Sequence, residues 1–84
     1  MSLPLKSRKE LVALIRQRID DGDPNPRLSI SEVAILVGYH RRTLQRWVDE
    51  RVPGWEPEYV GAKKRIHIPL STIRRDFKHD TRDI

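Results

Sequence analysis

The sequence predicts a mainly helical domain with one small β-hairpin. Three observations predict it. The spacing Ser-x-x-Glu occurs twice, at Ser7/Glu10 and Ser29/Glu32, each time just before an apolar run with helical period. Gly38 interrupts the apolar pattern of residues 30–49 where a chain joining two helices must turn with positive φ. Residues 58–60 and 65–68 then alternate apolar and polar on either side of a short segment beginning at Gly61. With 84 residues and no cysteine, the chain is expected to form one domain around a small core, without disulfides or thiolate metal sites.

The first helix is expected over residues 7–19. Leu11, Val12, Ile15 and Ile19 share one face, with Leu14 beside it, and Arg8, Lys9, Arg16 and Arg18 lie outside. The segment 20–26, with Gly22 and two prolines, ends it. A second helix is expected from Ile30 to Val37, and a third from Arg41 to about Arg51, with Gly38 and Tyr39 as the turn. Ala34 is small where the two helices cross, and Val33, Val37, Tyr39, Leu44 and Trp47 have the spacing that buries their inner faces. Pro53 and Gly54 stop the third helix. The hairpin follows, its strands at 58–60 and 65–68 and its turn at 61–64. Pro69 opens a closing helix with the stripe Leu70, Ile73, Phe77. Val33, Ala34, Val37, Leu44, Trp47, Ile66, Ile73 and Phe77 are expected to be buried together, and Trp47, Trp55, Tyr59 and Phe77 to be the aromatic anchors. The domain is read as residues 1–77, with an additional N-terminal helix at about 7–20, and residues 78–84 as a flexible charged tail.

Seventeen Lys and Arg against twelve Asp and Glu give a formal net charge of +5. That balance favours a polyanion as partner, either nucleic acid or an acidic membrane surface. No apolar run approaches the roughly 20 residues of a membrane span, and Leu3 and Leu5 are too few for the core of a signal peptide. The expected location is cytoplasmic, associated with the nucleoid.

The charge is concentrated where it matters for such a partner. With the apolar positions of the third helix facing inward, His40, Arg41, Arg42, Gln45 and Arg46 remain outside: three arginines, one amide and no acid. A helix with that face fits the DNA major groove. Gln45 matches the adenine edge and arginine the guanine edge, while Thr43 faces sideways as a phosphate contact. His40 stands where serine or threonine usually caps a helix, which frees it for base or phosphate contact. Lys63, Lys64 and Arg65 cluster at the expected hairpin tip and suit phosphate or minor-groove contact. Lys6, Arg8, Lys9, Arg74 and Arg75 either touch flanking backbone or are simply exposed.

Residues 28–77 resemble the winged helix-turn-helix of the excisionase and MerR-like family. The residues that carry the resemblance are Leu28 to Ala34, then Gly38, Tyr39, Arg41, Arg42, Thr43 and Leu44, then Val60 and Gly61 among basic residues, then Arg65 to Pro69 before a short amphipathic helix. The resemblance implies a winged helix-turn-helix that binds double-stranded DNA, with the third helix in the major groove and the wing in the adjacent minor groove. It also implies a recombination directionality factor of a mobile element or a small transcription regulator, with an integrase or further copies of the chain as partners on DNA. The first helix is no part of that minimal pattern. It and the string Thr43 to Arg46 are also similar to AraC-type DNA-binding domains, whose second helix-turn-helix is missing here.

Catalysis is not expected. His40, His67 and His79 are isolated, Ser29, Ser31 and Ser71 fit helix caps or turns, and no Gly-rich phosphate loop is present. The loop of Asp20, Asp21 and Asp23 lacks the spacing of a calcium-binding loop. No metal or other cofactor is implied. The rival reading is a winged helix used as a protein-interaction or scaffold module. It predicts apolar residues on the outer face of the third helix. RNA binding, a third reading, predicts exposed stacking aromatics.

Overall fold

The computed structural model describes residues 7–61 and 63–84, and only the backbone of residues 58–60, 63 and 64. The expected roles of Leu3, Leu5 and Lys6, and of the Tyr59 side chain as an anchor, lie outside the described residues.

Helix α1 (Arg8–Asp20) opens on Ser7, whose hydroxyl accepts from the Glu10 amide at 3.2 Å. Its inward stripe of Leu11, Val12 and Ile15 is buried, whereas Leu14 is exposed. Strand β1 (Arg27–Ser29) follows directly before α2 (Ile30–Val37). There the capping box is complete. The Ser29 hydroxyl accepts from the Glu32 amide at 3.2 Å, and the Glu32 carboxylate accepts from the Ser29 amide at 3.0 Å. Two helix-end donors are satisfied at once, which fixes the start of α2 at the expected residue. Gly38 ends it with φ +72°, while its amide donates to the Ala34 carbonyl at 3.0 Å. A Cβ there would meet nothing, so glycine is required by backbone conformation rather than by space.

Helix α3 (Arg41–Asp49) begins two residues later and ends earlier than expected. Its last turn is closed by amides of Arg51 and Val52 donating to the Val48 and Trp47 carbonyls, at 3.1 and 3.0 Å. Arg51 takes φ +56° in that closure, the position glycine usually fills.

The strands differ from expectation. Strand β2 (Glu58–Val60) pairs antiparallel with β3 (Lys63–Arg65), Val60 opposite Lys63 and Glu58 opposite Arg65. Two residues therefore separate the strands instead of four. Gly61, at φ +63°, supplies the positive φ that such tight hairpins need. His67 and Ile68 belong not to this hairpin but to β4 (His67–Pro69), which pairs antiparallel with β1 and sets Leu28 opposite Ile68. Both side chains are fully buried. Helix α4 (Leu70–Asp76) starts one residue after Pro69. Its first turn is capped from a distance, the Asn25 side chain accepting from the Ser71 amide at 2.8 Å.

The core joins Leu11 and Ile15 of α1, Val33, Leu36 and Val37 of α2, Leu44 and Val48 of α3, Leu28, Ile68, Ile73 and Phe77. Of the residues expected inside, Val33, Val37, Leu44, Ile73 and Phe77 are there, and Ala34, Trp47 and Ile66 pack against it half-buried. Tyr39, expected to be buried, is 46% exposed. It sits outside both helices and lays its ring edge-on to Phe77, centroids 4.9 Å apart. Trp47 stacks on Phe77, and Trp55, fully buried, meets Trp47 edge-on at 5.1 Å.

Residues 78–84, expected to be a flexible charged tail, pack back on the body. Thr81 is buried and its hydroxyl donates to the Phe77 carbonyl at 2.9 Å. Asp83 forms a two-pronged pair with Arg8 at 2.7 and 3.0 Å, and Ile84 packs against the core. The apolar pattern of the sequence has no period here, so it carries no sign of this return. The described residues form a small, mainly helical structure of four helices, a two-strand antiparallel hairpin and the separate β1–β4 pair, an arrangement compatible with a winged helix. No helix among the described residues is long and apolar enough to cross a membrane.

Candidate nucleic-acid interface

Burial of Leu44 and Val48 sets the rotation of α3. The opposite side of that helix is therefore fixed without reference to any partner. Arg41, Arg42 and Arg46 are exposed on it, and Gln45 and Thr43 are half-buried at its margins. None of the three arginines has an ion-pair partner among the described residues. His40 is the N-cap residue but makes no capping hydrogen bond through its side chain, leaving the exposed imidazole uncommitted. The first turn of α3 contains no acid. The exposed amides at the start of a helix carry partial positive charge, and Arg41 and Arg42 add to it. That arrangement disfavours the isolated helix and favours an anion placed before it.

The face expected to be free of acids carries one. Asp49 lies one turn beyond Gln45, and residues four apart share a helix face. The Gln45 side-chain amide donates to the Asp49 carboxylate at 3.2 Å. Counting i to i+4 from Gln45 in the sequence exposes this pair. The apolar stripe carries no sign of it, because Asp49 lies on the polar side.

Neighbouring elements extend the face. Ser29 and Ser31, at the start of α2, line a shallow open depression of about 200 Å³ together with Arg41, Gln45 and Ile66. Ile66 joins β3 to β4, so the root of the hairpin and the side of α3 border the same hollow. Arg65 is exposed. Lys63 and Lys64 are strand residues rather than turn residues, because Val60 pairs with Lys63 across a two-residue connection. Their side chains lie outside what the structure describes. The structure thus brings Arg41 and Gln45 to one hollow with the hairpin root, and keeps Arg42, Arg46 and His40 on the solvent side of α3.

No group of three or more potential metal ligands occurs among the described residues. A larger shallow depression, about 420 Å³, opens beside Asn25 and Arg74, away from α3. No protein family, no curated protein and no solved structure matches the chain.

Proposed function

We propose that the chain is a sequence-specific double-stranded DNA-binding protein built as a winged helix-turn-helix, with α3 entering the major groove and the β2–β3 hairpin against the adjacent backbone or minor groove. The observation that carries this reading is the exposed side of α3. Arg41, Arg42 and Arg46 extend from it with no ion-pair partner among the described residues, on a helix whose rotation is fixed by buried Leu44 and Val48. Phosphates attract such a face, and base edges are read by its arginine and glutamine side chains. The basic run Lys63, Lys64 and Arg65 and the net charge of +5 act in the same sense. A role in excision, with an integrase or further copies as partners on DNA, and a role in transcription both follow from binding of this kind. The family that residues 28–77 resemble covers both roles.

A protein-docking module on the same fold predicts apolar side chains on the exposed side of α3. The exposed residues of α3 are Arg41, Arg42, Arg46 and Asp49, so the observation favours DNA.

Selection from a random duplex pool tests the proposal directly. One family of sequences is expected to be enriched. Arg42→Ala and Gln45→Ala are each expected to weaken binding to the selected duplex by about 1–3 kcal/mol, with a smaller loss on a scrambled one. Equal losses on both duplexes would reduce α3 to a backbone contact. No enrichment at all would remove the proposal.

A further inference from the structure

From the hydrogen-bonded pair on the exposed side of α3 we infer that Asp49 is a specificity-determining residue, an acid that makes this basic face selective. The inference rests on the DNA reading above and adds to it a reason for the face to reject wrong sequences as well as to read right ones. An arginine that touches only phosphate binds any duplex, because the phosphate charge is the same for every sequence.

The geometry assigns Asp49 two effects. Its carboxylate accepts from the Gln45 amide nitrogen at 3.2 Å. A carboxylate only accepts, so the pair fixes which way the amide points. One N–H of Gln45 is engaged, while the carbonyl oxygen and the second N–H remain outside the pair. Those two groups are the acceptor and donor that match adenine N6 and N7. In water such an i, i+4 pair is weak. Covered by DNA, it leaves bulk solvent and its hold on the amide strengthens.

The second effect is repulsive. Asp49 is an exposed carboxylate on the side of α3 that carries Arg41, Arg42, Gln45 and Arg46. A cytosine N4 or adenine N6 amino group placed against the carboxylate satisfies its free lone pairs. A guanine O6 and N7 edge or a thymine O4 in that place sets acceptor against acceptor, and a shifted register sets carboxylate against phosphate. Discrimination of this kind comes from penalties on wrong partners rather than from added attraction to the right one.

Asp49→Asn is the test. The residue is exposed in the last turn of α3, where a negative charge is unfavourable to the helix, so the variant keeps the fold. It is read by the ratio of Kd on a scrambled duplex to Kd on the duplex selected by the unaltered protein, with a second selection by the variant. The ratio is expected to fall roughly tenfold, the size of one mismatched base pair, and the variant's selected sequences to lose preference at one or two positions. An unchanged ratio with the same selected sequences would overturn the role of Asp49 while leaving DNA binding intact. Failure of both proteins to enrich any sequence would overturn the DNA reading, and this inference with it.

Discussion

At the scale of single residues, the most consequential polar contact ties the buried edge of the aromatic cluster to a carboxylate at the surface. Trp55 is fully buried, and its indole N–H donates to Asp76 at 2.7 Å. The adjacent Arg75 guanidinium donates to the same carboxylate at 3.0 Å and, with the indole N–H, holds its pKa below the ordinary carboxylate value. A pKa lowered by folding contributes stability that is fully present above the unfolded value, about 4, and is lost as pH falls through the folded one. Asp76→Ala leaves the indole N–H buried without an acceptor and is expected to cost about 1–3 kcal/mol in urea unfolding at neutral pH. Asp76→Asn keeps an acceptor oxygen and is expected to cost less, while flattening the loss of stability below about pH 4. A wild-type acid profile in Asp76→Asn would show that another carboxylate controls it.

At the scale of elements, the hairpin is where expectation and structure part most. Its basic residues lie in β3 beside a two-residue connection, and β4 has left the hairpin to pair with β1. The proposed contact with phosphate concerns the strand itself. Each neutralised phosphate releases roughly one counterion. Changing Lys63 and Lys64 together to Ala is therefore expected to flatten the plot of log affinity against log salt by about 1–2 units, with base preference nearly unchanged. A wild-type slope and affinity in the double variant would place the hairpin off the DNA. The contrast between this element and α2 shows what is legible in the chain. Ser29, Glu32 and Gly38 act within a few residues of one another, so α2 and the turn into α3 could be placed from the sequence. β1 is three residues long with a partner far along the chain, and no local period marks it. Tyr39 has the apolar spacing of an inner position but sits beyond the helix end, where spacing no longer dictates direction. The arginines of α3 are legible because Leu44 and Trp47 mark its inner side in the sequence; Val48, buried beside Leu44, is no part of that stripe, and Asp49 fixes nothing in the core, so the apolar pattern does not mark it.

At the scale of the whole molecule, Arg8 holds the two ends of the chain to its middle. Its side chain donates to the Leu36 carbonyl at 2.9 Å, to the Asp80 carbonyl, and to both oxygens of Asp83. The Asp83 hydrogen bond raises the Arg8 pKa and lowers that of Asp83 itself. The pair is about half exposed, so water screens much of its attraction. Its worth lies in joining α1, the end of α2 and residues 80–83 through one planar group. Arg8→Ala is expected to cost on the order of 1 kcal/mol and to free the Thr81 hydroxyl contact, seen as faster amide exchange over residues 81–84. Arg8→Lys is expected not to restore that protection, since an ammonium cannot reproduce the two-pronged geometry. Unchanged exchange in Arg8→Ala would show that Ile84 alone anchors the end. The β1–β4 seam bears on time rather than on energy. Leu28 and Ile68 lie roughly 40 residues apart in sequence, and a longer loop closes at a greater entropic cost than the short one joining α2 to α3. On loop-closure cost alone, the helical pair is expected to assemble before the seam. The hairpin leads into β4 through Ile66, so its distance from α3 is expected to be set only when the seam closes.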